Sequence, residues 1–160
     1  MYITIAPFTG FDVTFGNLLV AKYDTNTVRT IVSGVFTIYN YEDVVFDPYG
    51  LVTTGAAWKF TADHDGYYFC KAQVVWDLYT WAAGNANYLY CYKNNVGFAV
   101  LDWWQTNVNS AVPRDIQQEG SCLVWLDKGD FVDFRIWQTS GANKVTWGGA
   151  VYNSCVIYRV

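Results

Sequence analysis

Hydrophobic and polar positions alternate with a period of two along most of this chain. In residues 66–76, GYYFCKAQVVW, one face collects Tyr68, Cys70, Ala72, Val74 and Trp76, while Lys71 and Gln73 fall on the other. Successive side chains of a strand point to opposite faces, so the first set is predicted to face a core. Residues 130–138, DFVDFRIWQ, place Val132, Phe134 and Ile136 inward and leave Phe131, Asp133, Arg135 and Trp137 outward. The segments 120–127 and 152–160 read as two more strands. Residues 35–46 read as one long strand and 86–92 as a short one. A slip of one residue would turn each face inside out, so each register is a definite expectation.

Turn residues punctuate the strands at Asp47-Pro48-Tyr49-Gly50, Asp63-His64-Asp65-Gly66, Asn94-Asn95, Asp127-Lys128-Gly129-Asp130 and Ser140-Gly141. The links 77–86 and 104–117 exceed hairpin length. Mixed short and long links predict a Greek-key sandwich or jelly roll rather than a meander. Residues 1–28 alternate weakly and contain one obvious strand, Gly16 to Tyr23. They are expected to form an N-terminal arm, as an attachment segment or as an extra strand that blunts a sheet edge. Residues 29–160 are expected to form the domain itself.

Composition agrees with an all-β chain. Aromatic residues reach 19% and charged residues only 15%. The acids are twelve Asp and two Glu, and Glu is the better helix former. A net charge of −4 with scattered cations leaves no electrostatic footprint for nucleic acid. No apolar run is long enough for a membrane helix, and Asp and Lys interrupt the alternation that a membrane barrel needs. The start, MYITIAPFTG, has neither a basic region nor a small-residue cleavage site. Cys70, Cys91, Cys122 and Cys155 are too widely spaced for a close-paired zinc pattern and are expected as free, buried thiols. Together these features predict folding in a reducing cytoplasm.

Several ordered segments resemble the globular head of the complement C1q and tumour necrosis factor superfamily. They are KFTADHDGYYFC (59–70), SCLVWLDKGDFVDFRIWQ (121–138, with Leu126, Gly129, Asp130 and Val132 in the hairpin) and VYNSCVIYRV (151–160). The segment VVFDPYGLVTT (44–54) is similar to members from bacteriophages and bacteria rather than vertebrates. The resemblance runs from about Val28 to Val160. It implies an all-β jelly-roll sandwich of about ten strands that assembles as a homotrimer. In such trimers one sheet of each protomer faces the axis. Phe131 and Trp137, which point outward, are therefore the candidate trimer-interface residues. No Gly-x-y stalk is present.

Chemistry for catalysis is sparse. The single histidine, His64, lies in a polar turn. The carboxylate pairs Asp63/Asp65, Asp127/Asp130 and Glu42/Asp43/Asp47 have turn or solvent roles available, and calcium held by loop aspartates stays open with no residues assigned. No catalytic, cofactor or metal residue is predicted. The remaining signal is aromatic. Tyr79, Trp81, Trp103, Trp104 and Trp147 fall in or beside the long links and are the candidate surface-recognition residues. The expected function is a non-enzymatic bacteriophage virion protein. It would be a trimeric knob that decorates the capsid or forms a head fibre, docks on capsid or tail proteins through residues 1–28, and binds host-surface carbohydrate. The alternatives are the receptor-binding tip of a tail fibre and a bacterial secreted or surface adhesion module.

Overall fold

The computed structural model describes residues 19–109 and 112–160. They form thirteen strands and no helix. These are β1 (Leu19–Asp24), β2 (Thr30–Ile31), β3 (Thr37–Ile38), β4 (Asp43–Phe46), β5 (Val52–Thr53), β6 (Lys59–Thr61), β7 (Gly66–Tyr79), β8 (Ala86–Lys93), β9 (Val96–Gln105), β10 (Arg114–Leu126), β11 (Phe131–Gln138), β12 (Lys144–Val145) and β13 (Ser154–Arg159). Two antiparallel sheets face each other. One has the order β10-β7-β13-β1-β4. The other has the order β5-β6-β11-β8-β9, with β3 also on β11, and β2 pairs with β12 apart from both.

The alternation places the core as expected. Tyr68, Cys70, Ala72, Val74 and Trp76 from β7 are fully buried against Val132, Phe134 and Ile136 from β11. Large rings fill the middle: Trp58 packs on Tyr41 at 5.5 Å and on Phe134 at 5.6 Å, centroid to centroid. The Trp58–Tyr41 contact is edge-on and the Trp58–Phe134 contact tilted, and ring pairs at these spacings add to what area burial alone contributes.

Three features go beyond the alternation read from the sequence. Residues 35–46 are not one strand. The chain pairs with β11 as β3, then crosses to the other sheet as β4 beside β1. During the crossing Tyr39, Asn40 and Tyr41 are all buried, because both sides of the backbone meet packed protein. Tyr39 Oη lies 2.9 Å from Thr146 Oγ1, and Tyr41 donates to the Gln73 carbonyl at 3.2 Å. Second, residues 96–105 form β9, paired with β8 through two register shifts. Those bulges break the period of two and mask the strand in the sequence. Third, β1 lies inside the sheet, between β13 and β4. The strand expected within the N-terminal arm therefore belongs to the sandwich, and residues 1–18 of that arm lie outside the described residues.

The free edges of the two sheets meet at β9 and β10. Glu119 N donates to the Asp102 carboxylate at 3.3 Å. A Cβ on Gly120 would stand 2.1 Å from the Leu101 carbonyl oxygen, so only glycine allows this approach.

Candidate recognition surfaces

The long links gather at one end of the sandwich. Gly84 N donates to the Thr106 carbonyl at 2.7 Å, and Asn85 Nδ2 to the Thr139 carbonyl at 3.2 Å. Of the five aromatic residues expected to form a recognition surface there, one is well exposed. Trp103, 57% exposed, projects from β9 on the outer face of its sheet. Trp81 is fully buried, with its ring edge-on to Trp76, Tyr79 and Trp104 at 6.0, 5.9 and 5.8 Å. It plugs the end of the core and is not a surface residue. Tyr79 and Trp104 are partly buried against the same core. Tyr79 Oη accepts the Val145 N–H at 2.7 Å, and the Lys144 ammonium lies 4.2 Å from its ring centroid. Trp147 is half-buried and edge-on to Tyr152 at 5.3 Å. Neighbouring strands and loops thus use most of these rings to cap the sandwich, which local sequence could not show.

A larger aromatic surface lies on the outer face of β8, β9 and β11. Alternation along β8 turns Tyr88, Tyr90 and Tyr92 to this side while Leu89 and Cys91 enter the core. Register sets Tyr88 between Trp103 and Trp137, and Tyr90 opposite Arg135. Tyr88 is nearly parallel to Tyr90, with centroids 5.6 Å apart, and to Trp103 at 6.1 Å. Phe36, from the β2–β3 link, stacks on Trp137 at 5.9 Å and meets Tyr90 edge-on at 5.3 Å. The signal for this surface was present in the sequence as a tyrosine at every second position of 88–92.

Phe131 and Trp137, the candidate trimer residues, both lie on this six-stranded sheet and are partly buried within the chain. The Lys59 ammonium sits 4.7 Å from the Phe131 centroid, and Trp137 is held by Phe36 and Tyr88. A second exposed apolar face belongs to the other sheet. There Tyr67 (51% exposed), Leu123 (52%), Trp125 (46%) and Tyr158 (37%) surround Phe69. Tyr67 and Trp125 meet edge-on at 5.1 Å, and Phe69 lies 6.2 Å from Tyr158. Strand register makes the cluster contiguous: Trp125 faces Tyr67, Leu123 faces Phe69, and Tyr158 faces Phe69 from the other side.

The titratable groups act mainly in turns. The Asp130 carboxylate accepts Lys93 Nζ at 2.8 Å, Asn94 Nδ2 at 2.7 Å and the Asp127 N–H at 3.1 Å. These bonds, led by Lys93, lower its pKa to about 2. Asp47 caps Leu51 N and Val52 N at 3.0 and 3.1 Å. His64 Nδ1 lies 3.0 Å from Asp63 Oδ2, on an exposed turn. Its carbonyl accepts the Tyr68 hydroxyl at 2.8 Å. Among the described residues no group of three His, Cys, Asp or Glu side chains is placed to hold a metal ion. The four cysteines are free thiols; Cys70 and Cys122 face each other across β7 and β10.

No protein-family model matches this chain, and no curated protein matches it in sequence. Solved structures do match. The structure of Eiger TNF from S. frugiperda superposes with a TM-score of 0.66 at 10% identity, covering 90% of this chain and 93% of that one. The crystal structure of murine APRIL at pH 8.0 gives 0.58 at 10% identity, covering 89% and 98%. The fold is a TNF-like jelly roll. The TNF-like sandwich accounts for both sheets and spans nearly the whole chain, so the jelly roll expected from the strand pattern is the observed one. At such identities the likeness carries the fold and nothing of the ligand.

Proposed function

We propose that this TNF-like domain is a non-enzymatic display module of a bacteriophage virion. It forms a homotrimer, decorates the capsid or forms a head fibre, and turns its other surfaces to host glycans. The observation that carries the reading is the apolar face of Tyr67, Phe69, Leu123, Trp125 and Tyr158. A contiguous aromatic face of this kind is a mark of an interaction site on a soluble chain. A closed cyclic trimer buries one such patch on every copy. This assignment moves the interface from Phe131 and Trp137 to the opposite sheet. The virion setting rests on the resemblance of residues 44–54 to bacteriophage members. Display in many trimers would raise weak single-site affinities by avidity.

Mass measurement in solution tests the assembly. The intact chain should be a trimer, and Trp125→Glu should give a folded monomer, because a charge would be buried at the interface without a partner. A monomeric wild-type protein would overturn the reading. The attachment role is tested by deleting residues 1–18, which spares β1. The truncated trimer should fail to join the particle, and normal incorporation would refute the docking role. Antibody labelling of particles in the electron microscope separates capsid from tail location.

A further inference from the structure

On the outer face of the six-stranded sheet, β6 and β3 both pair with β11, but at different heights. β6 reaches Phe131 and Val132, and β3 reaches Arg135 and Ile136. Between them lies a notch of about 200 Å3, lined by Ile38, Ala57, Trp58, Lys59, Asn95, Phe131 and Asp133. Its chemistry is mixed. Asp133 is 1% exposed, and its carboxylate is held by Arg135 Nε at 2.6 Å and Nη2 at 2.9 Å. Arg135 Nη2 also donates to Asn95 Oδ1 at 2.8 Å, which leaves the Asn95 amide nitrogen free to donate. Lys59 forms no ion pair among the described residues. Trp58 underlies the notch with its ring in the core, and its indole N–H is buried with no hydrogen-bond partner among the described residues. A buried polar group without a partner is costly, and a ligand or an ordered water relieves that cost.

The notch opens onto the aromatic row. Asp133 faces Tyr92 in the register, and Tyr92, Tyr90, Tyr88 and Trp103 continue at centroid spacings of 6.1, 5.6 and 6.1 Å. Among the described residues the hydroxyls of these three tyrosines make no hydrogen bond within the chain, and they remain able to donate or accept.

We propose that this notch and row form a saccharide-binding site. The notch seats one pyranose ring and the tyrosine row carries the units that follow. The inference rests on the glycan-recognition part of the proposed function and names its location and chemistry. A pyranose has an apolar face to lie on Phe131 and Ile38 and a rim of hydroxyls. Those hydroxyls both donate to Asp133 and accept from Lys59 and Asn95. A flat protein partner would cover the rings but leave the recessed Asp133 carboxylate unreached. The site lies on the sheet opposite the proposed trimer face, so all three copies would present it outward.

The test is binding of the full chain to an array of purified bacterial O-antigen and capsular polysaccharides, followed by three variants. Lys59→Met keeps the stem over Phe131 and removes the donor. Asn95→Gly removes the amide while suiting the positive φ of 65° at this turn. Tyr88→Ala breaks the row. With thermal stability and mass confirmed unchanged, each should weaken binding about tenfold or more, the size expected for a lost buried hydrogen bond or ring contact. If the chain binds a polysaccharide and all three variants bind it equally well, this site is wrong while glycan recognition stands. If the wild-type chain binds none of the saccharides, the glycan reading and this site fall together.

Discussion

The guanidinium of Arg135 lies 4.0 Å from the centroid of the Tyr92 ring, and its other side forks onto the recessed Asp133 carboxylate. One side chain thereby ties the aromatic row to the notch and neutralises the buried Asp133 carboxylate. Arg135→Met should lower unfolding stability by about 3 kcal/mol, because it strands a buried charge. Arg135→Lys should recover only part of this, since an ammonium cannot fork onto a carboxylate. Adding Asp133→Asn to Arg135→Met should restore stability relative to the single variant. Urea unfolding of the four proteins measures all three effects.

Acid should loosen the turn that joins β10 to β11. Asp130 has a folded pKa of about 2, below the ordinary carboxylate range, through Lys93, Asn94 and the Asp127 N–H. A carboxyl with a lowered folded pKa contributes stability that is fully present above its unfolded pKa. That contribution is lost as pH falls from about 4 through about 2. Asp130→Asn should be less stable than wild type at neutral pH, and the gap should close across that window. Parallel denaturation curves at pH 7, 4 and 2.5 check the sign; a gap that stays constant would argue against it.

Gly120 should tolerate no side chain. A methyl there would meet the Leu101 carbonyl oxygen at 2.1 Å and force β9 away from β10. Gly120→Ala should cost about 3 kcal/mol or more, in the range of severe overpacking. Thermal denaturation measures it. Gly141, whose added Cβ would meet nothing within 4 Å, has a positive φ of 78°, so Gly141→Asn is the mild control.

Two tryptophans that look alike in the sequence should behave differently. Trp81→Ala empties the plug at the end of the core and should destabilise by about 3–5 kcal/mol. Trp103→Ala trims an exposed ring and should change stability by less than about 1 kcal/mol. Calorimetry of the two variants separates core from surface.

The sequence by itself determined which residues could be strands and which side of each strand would be buried. Tyr68 to Trp76 and Val132 to Ile136 follow from a local rule, because a pleated backbone alternates its side chains whatever surrounds it. The turns at Gly50, Asn94-Asn95 and Gly129 were legible for the same reason, since their positive φ values favour Gly and Asn. Tertiary structure alone decided what lay beyond the strand. Residues 35–46 read as a single strand, yet Tyr39 to Tyr41 turn out to bridge two sheets. The bulges in β9 hid a strand that carries Trp103 outward and Trp104 inward. Strand alternation says that Trp137 points away from the core. It cannot say that Phe36, from a distant link, covers it, or that Tyr67 and Trp125 stay bare on the other sheet. Those outcomes depend on which strands become neighbours, and pairing between distant segments is set by the whole sandwich.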